Sequence, residues 1–191
     1  MLAKFSLLFL LAATSLPAQT GEKLVTSARK QVGVTQYYDP MYRTLDFPNG
    51  DVPADRGVCT DVIIRAMRDA LAKDLQQLVN QDMRANFSAY PKNWGLSKTD
   101  KNIDHRRVPN LRTYFKRKGY DVPLGKDKDP AKFLPGDIVT CTVPPNLPHI
   151  MLVSDKKTDA GVPLVIHNIG MGAKEEDCLF GYPLTGHYRV K

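Results

Sequence analysis

Three residues of this chain combine the type and the placement needed for nucleophilic acyl chemistry: Cys59, His149 and His167. A thiol attacks as thiolate, or as an imidazole removes its proton. Cys59 stands at the front of an apolar run, with Val62, Ile63, Ala66, Met67, Ala70 and Leu71 following at helical spacing. Pro53, Asp55 and Gly57 precede it as turn and helix-start residues. A thiol in the first turn of a helix feels the positive end of the dipole, which favours thiolate. The plain alternative is a core cysteine, since free Cys is among the most buried residue types.

His149 opens the run His149–Ser154, and His167 nearly closes the run Pro163–Asn168. If these runs pair as antiparallel strands, both imidazoles come to one end of the sheet. The order is then nucleophile, base and orienting group. His149 takes the thiol proton and returns it to a leaving amine, His167 fixes the tautomer, and the Cys59 amide N–H can hold the oxyanion. That chemistry needs the sulfur within about 4 Å of a His149 ring nitrogen. Each histidine also has a structural reading, and His105 and His187 are rivals for the orienting role. A metal site built from His105, His149, His167 and Asp104 lacks the short ligand spacings of zinc motifs. No metal and no cofactor are expected.

Asp104-His105-Arg106-Arg107 is a charge cluster in a turn-rich stretch. It reads either as a solvated turn or as a carboxylate-binding element, because guanidinium forks match carboxylates. Tyr38 lies in a long loop, residues 34–57, which either walls a cleft beside Cys59 or covers the core.

Helices are predicted over 22–32, from Cys59 to about Lys73, from near Asp74, and from Pro109 to Lys118. From Pro135 the period changes, and strands are predicted over 137–143, 149–154, 163–168 and 187–190. Residues 168–172 read as a glycine-rich loop leading away. Hairpin-length links favour an antiparallel sheet, so the class is α+β, N-terminal helices packed on a C-terminal antiparallel β-sheet.

The 191 residues suit one domain. Lys4, the apolar run from Phe5 to Ala13, and Leu16-Pro17-Ala18 read as a signal peptide, 1–18, cleaved after Ala18. The single domain is then 19–191, in a secreted or periplasmic protein. The apolar run is too short for the roughly 20 residues of a membrane span, and no later segment could cross a bilayer. Removing the leader takes only Lys4 from a net charge of +7. A basic exported protein is drawn to anionic polymers such as cell wall. No nucleic-acid module is recognisable, and one Trp makes base stacking a poor expectation. Three cysteines allow a Cys141–Cys178 disulfide with Cys59 left over, or three reduced thiols. A monomer is expected.

The order of these pieces resembles the NlpC-type cysteine peptidases, papain-like enzymes that cut bacterial cell-wall peptides. Leu134-Pro135-Gly136-Asp137-Ile138-Val139 resembles their Pro-Gly-Asp strand start, His149-Ile150-Met151-Leu152-Val153-Ser154-Asp155 their catalytic-histidine strand, and Val165-Ile166-His167-Asn168 the strand bearing their third polar residue. Ala28, Gly33 and Tyr37 lie where the first helix and its tyrosine would fall. The resemblance implies Cys59 as nucleophile, His149 as base and His167 as orienting residue. Those peptidases carry Asp-Cys-Ser-Gly at the nucleophile; here Val58-Cys59-Thr60-Asp61 puts the acid two residues after the Cys. Almost the whole chain is also similar to a family of exported bacterial proteins known as a domain of unknown function within that clan. The carrying stretches are Tyr38-Asp39-Pro40, Gly50-Asp51-Val52-Pro53, Gly57-Val58-Cys59-Thr60-Asp61, Ile103-Asp104-His105-Arg106-Arg107-Val108-Pro109-Asn110 and Gly186-His187-Tyr188-Arg189. The expected function is a thiol peptidase or amidase acting on peptidoglycan peptides or a related amide. Arg106 and Arg107 would meet substrate carboxylates. The alternatives are a non-catalytic wall- or protein-binding module and an acyltransferase using the same thiol.

Overall fold

The structure is a computed structural model and describes residues 16–125 and 128–191. Residues 1–15 of the expected leader lie outside the described residues. Helix α1, Leu16–Arg29, runs across the expected cleavage point after Ala18 and begins earlier than the predicted start at Glu22. Leu24, Val25 and Ala28 enter the core as the pattern requires. Val32, expected on the same face, falls in the turn beyond the helix and is exposed.

Helix α2, Cys59–Leu71, buries Val62, Ile63, Ile64, Ala66 and Met67. Each of the larger side chains contributes about 1.5–3 kcal/mol of transfer free energy. Ala72, in the left-handed region, ends it. Helix α3, Leu75–Ala85, starts under the Asp74 carboxylate, which accepts from the Gln76 and Gln77 N–H groups. Helix α4, Val108–Arg117, carries Pro109 in its first turn and buries Leu111, Tyr114 and Phe115.

The long loop is ordered by two short parallel strands, β1 (Tyr37–Tyr38) and β2 (Arg56–Gly57). The main sheet has five antiparallel strands in the order β6-β5-β4-β3-β7. They are β3 (Ile138–Val143), β4 (Leu147–Lys157), β5 (Pro163–Asn168), β6 (Ala173–Glu176) and β7 (Leu184–Tyr188). Ile138, Ile150, Leu152 and Ile166 face the helices. Val139, Cys141, Met151, Val153 and Val165 face a second cluster with Phe133 and Leu179. With both faces covered, the central strands read as continuous apolar runs. Helix α1 meets the turn before β3 at a glycine pair. A Cβ on Gly21 would lie 2.1 Å from the Pro135 carbonyl oxygen, and one on Gly136 would lie 2.3 Å from the Gly21 Cα. The fold is therefore α+β, with helices on an antiparallel sheet.

The glycine-rich loop expected over 168–172 is present, but it turns back as a hairpin into strand β6, which the sequence pattern did not predict. Its Lys174, Glu175 and Glu176 are charged, as suits an exposed edge strand, and they hid it from any search for apolar alternation. Among the described residues no helix is long and apolar enough to cross a membrane.

Candidate active site

The start of α2 is fixed from three directions. Asp61, in the first helical turn, accepts the Val58 N–H at 2.6 Å. Its two oxygens also accept from Arg106 Nε at 3.0 Å and Nη2 at 2.9 Å. The remaining Arg106 donors reach the backbone carbonyls of Asp39 (3.1 Å) and Met41 (3.4 Å). Thr60 Oγ1 donates to the Arg106 carbonyl at 3.0 Å. From the sheet side, Asn168 Nδ2 donates to the Gly57 carbonyl at 3.0 Å. Gly57 leaves no room for a side chain, because a Cβ there would come within 3.0 Å of Asp61. These contacts hold Cys59 at one position relative to the sheet.

Cys59 is 4% exposed and lines the floor of a cleft of about 670 Å³. Burial pushes its thiol up to about 12; the Ile150 backbone N–H pulls the other way, Asp61 pushes further up, and the Thr60 and Cys59 N–H groups pull down. Burial therefore outweighs the helix dipole, and the thiolate expected from the helix-start position gives way to a neutral thiol. The Tyr38 phenol faces the sulfur across the cleft wall and, chiefly through burial, is itself pushed up to about 12.

Antiparallel pairing brings the two histidines together. The β4–β5 ladder pairs Leu152 with Ile166 and Val153 with Val165, and no partners are assigned beyond Leu152 toward His149. Beyond the paired stretch His149 Nε2 and His167 Nδ1 lie 2.8 Å apart. His167 Nε2 lies 2.8 Å from Glu176 Oε1 on β6. The carboxylate can only accept, so His167 carries its proton on Nε2 and its Nδ1 is the acceptor. His149 must then donate from Nε2, which leaves a lone pair on Nδ1. Burial, with His167 adding to it, pushes His149 down to about 3, and burial also lowers His167 although Glu176 works against it. Both rings are neutral near pH 7. Among the described residues no hydrogen bond joins Cys59 to His149; the thiol instead meets the N–H of Ile150, the next residue of β4. The expected contact between sulfur and ring nitrogen is thus not formed as a hydrogen bond.

The other candidates separate. Arg106 is committed inside the protein by its ion pair, with side chains 2% and 4% exposed, so its fork is not offered to a ligand. His105 is buried, pushed down to about 4 by burial, with Nδ1 unpaired, away from the imidazole pair. Asp104 is buried behind Arg107, which it meets at 3.2 Å, and burial raises its carboxyl. Arg107 and Tyr38 line the cleft. His187 is turned to Asp137 at 2.6 Å and stacks on Phe133, which removes it as an orienting rival. All three cysteines are free thiols. Among the described residues no three His, Cys, Asp or Glu side chains are placed to share a metal ion. Sequence reasoning missed Glu176, Asp61 and Asn168. Only Asp61 carried a local signal, an acid in the first turn of a helix.

Known proteins match this chain over most of its length. The "Uncharacterized protein YijF" of Escherichia coli (strain K12) is 51% identical over 172 residues, covering 90% of this chain and 82% of that protein. A solved structure of NlpC1 from Trichomonas vaginalis is 15% identical, with a TM-score of 0.46 over 90% of this chain; this chain spans 45% of that one. Residues 25–190 match the model of one family, and the chain belongs to it: the family described as Domain of unknown function (DUF1287).

Proposed function

We propose that the chain is an exported cysteine hydrolase that cuts a peptide or related amide bond, with peptidoglycan peptides as the substrate. The observation that carries this is the hydrogen-bonded chain Glu176–His167–His149, which leaves the lone pair on His149 Nδ1, one residue along β4 from Ile150, whose N–H meets the Cys59 thiol. A purely structural pair of buried histidines has no need of a carboxylate that sets both tautomers.

In this reading His149 Nδ1 takes the Cys59 proton as sulfur bonds to the amide carbon. The imidazolium then gives that proton to the leaving nitrogen as the C–N bond breaks. Water then adds to the thioester, losing a proton to His149; the C–S bond breaks, His149 returns the proton to sulfur, and the acid leaves with the Cys59 thiol regenerated. His167 and Glu176 stabilise the positive charge in each half. The Cys59 N–H and the Tyr38 hydroxyl are the candidate donors to the oxyanion. The thiol–imidazole contact closes when substrate enters, since catalytic hydrogen bonds are often loose in empty sites.

Cys59→Ala is expected to abolish release of new amine ends from purified cell wall while leaving the circular dichroism spectrum and melting point unchanged. Undiminished cleavage by that variant would remove the proposal. A second reading, a non-catalytic binding module, is favoured by the buried neutral thiol. It requires that wall peptides bind, that no amine is released, and that mass spectrometry finds no acyl-thioester on Cys59. Export itself rests on the leader 1–18.

A further inference from the structure

The cleft around Cys59 has an unbalanced lining. Arg106, Arg107 and Arg112 border it, and no Asp or Glu does among the described residues. Arg106 is spent on Asp61. The other two are not spent. Arg107 gives one N–H, from Nη1, to Asp104, and its guanidinium carbon lies over the Trp94 ring, 4.1 Å from the centroid. Arg112 gives one N–H, from Nη2, to the Thr185 carbonyl and has no carboxylate partner among the described residues. Each fork keeps four of its five donors. Val108 and Pro109, the first residues of α4, also line the cleft, so the positive end of that helix opens into it.

A guanidinium stacked on an aromatic ring is held in plane, with its edge presented outward. Such an edge reads a planar anion through two parallel hydrogen bonds. Guanidinium donors left free in a concave site favour anionic ligands over cationic ones. We infer that Arg107, held on Trp94, and Arg112 form a carboxylate subsite, so that the substrate is a peptide bearing a free carboxylate close to the bond that Cys59 attacks. The inference rests on the hydrolase reading for its choice of a peptide carboxylate over other anions. Its subsite is nevertheless a binding site whether or not turnover occurs. Asn93, Asn146 and Thr142 supply neutral donors and acceptors along the same wall.

Trp94 is the one tryptophan of the chain, so intrinsic fluorescence reports on this wall directly. The test uses the full chain carrying Cys59→Ala, which removes turnover from the measurement. The probes are a short peptide with a free glutamate carboxylate, the same peptide with that carboxylate amidated, and inorganic phosphate. Trp94 fluorescence and isothermal titration calorimetry are read together. The acidic peptide is expected to bind at least tenfold tighter than its amidated twin and than phosphate. Arg112→Gln, which breaks only a bond to a backbone carbonyl, is expected to erase most of that preference. Arg107→Lys, which keeps the charge but loses the fork, is expected to weaken it severalfold with an unchanged melting point. Equal binding of the acidic and amidated peptides would overturn the inference. So would a preference that survives Arg112→Gln and Arg107→Lys together, or phosphate binding as tightly as the peptide. A tenfold preference in a protein that never releases amine would leave the subsite standing and remove the hydrolase reading alone.

Discussion

Replacing Glu176 separates a tautomer-setting carboxylate from a merely structural one. In Glu176→Ala the His167 Nε2–H loses its acceptor at 2.8 Å. His167 is then free to carry its proton on Nδ1, donate to His149 Nε2, and so force the His149 proton onto Nδ1, where it blocks the base. A hydrogen bond to a charged group contributes about 1.5–3 kcal/mol. The Glu176 side chain is 40% exposed, and solvent screening discounts the figure to about 1–1.5 kcal/mol. That corresponds to a loss of about tenfold in kcat/KM. Glu176→Gln keeps an oxygen that can accept, and about threefold or less is expected by the same hydrogen-bond estimate. His167→Ala removes the orienting ring itself and is expected to cost about 10²–10⁴-fold, the usual range for a general base out of position. The assay is hydrolysis of a fluorogenic amide, paired with nitrogen chemical shifts of the His149 ring. The shifts must show Nε2–H in the wild type and a mixture in Glu176→Ala. A His149 ring protonated on Nδ1 in the wild type would refute the reasoning, and so would a Gln variant as damaged as the Ala variant.

Two other predictions follow from buried charge. Burial sets His149 near 3 and His105 near 4 against an ordinary 6.5, and lowers His167 as well. Between those values and 6.5 the unfolded chain binds protons that the folded chain refuses. Stability is therefore full above pH 6.5 and falls as the pH drops toward 3, which thermal melts between pH 7 and pH 4 would check; a melting point that holds level across that range contradicts it. Arg106→Ala strands the Asp61 carboxylate at the start of α2 and is expected to cost about 3–5 kcal/mol in urea unfolding, with part of the loss recovered by adding Asp61→Asn. A cost under about 1 kcal/mol, the range of exposed pairs, would mean the pair is not buried in solution.

The helices and central strands were legible because their burial leaves periodic apolar marks. The α2 stripe from Val62 to Met67 and the runs at 138–143 and 163–168 lie where the pattern places them, with ends shifted by a few residues. The meeting of His149 with His167 followed from strand direction alone. What stayed hidden was everything decided by long-range pairing of polar groups. Strand β6 has no apolar alternation, so neither it nor Glu176 gave a local signal. Asn168 looks like a loop residue until its bond to Gly57, 111 residues earlier in the chain, is seen. The arginine pair misled in the same way. Arg106 and Arg107 are neighbours in sequence with equal claim to a ligand, and only the fold turns one to Asp61 and the other to Trp94.

The state of the thiol follows from comparing two magnitudes. A helix terminus stabilises a charge by about 0.3–1 kcal/mol, and up to about 2 in favourable partly buried geometry. Burial carries Cys59 from an ordinary 9.0 to about 12, on the order of 4 kcal/mol at 1.36 kcal/mol per unit. The nearby Asp61 carboxylate opposes a second negative charge as well. The resting site is then a neutral thiol beside neutral imidazoles, not a thiolate–imidazolium pair. In the proposed hydrolase, proton transfer to His149 accompanies attack on the carbonyl, so the relay that aims His149 Nδ1 matters more than any prior activation of sulfur. In that reading the aim depends on Glu176 and on the anchoring of α2 through Asp61, Arg106 and Asn168.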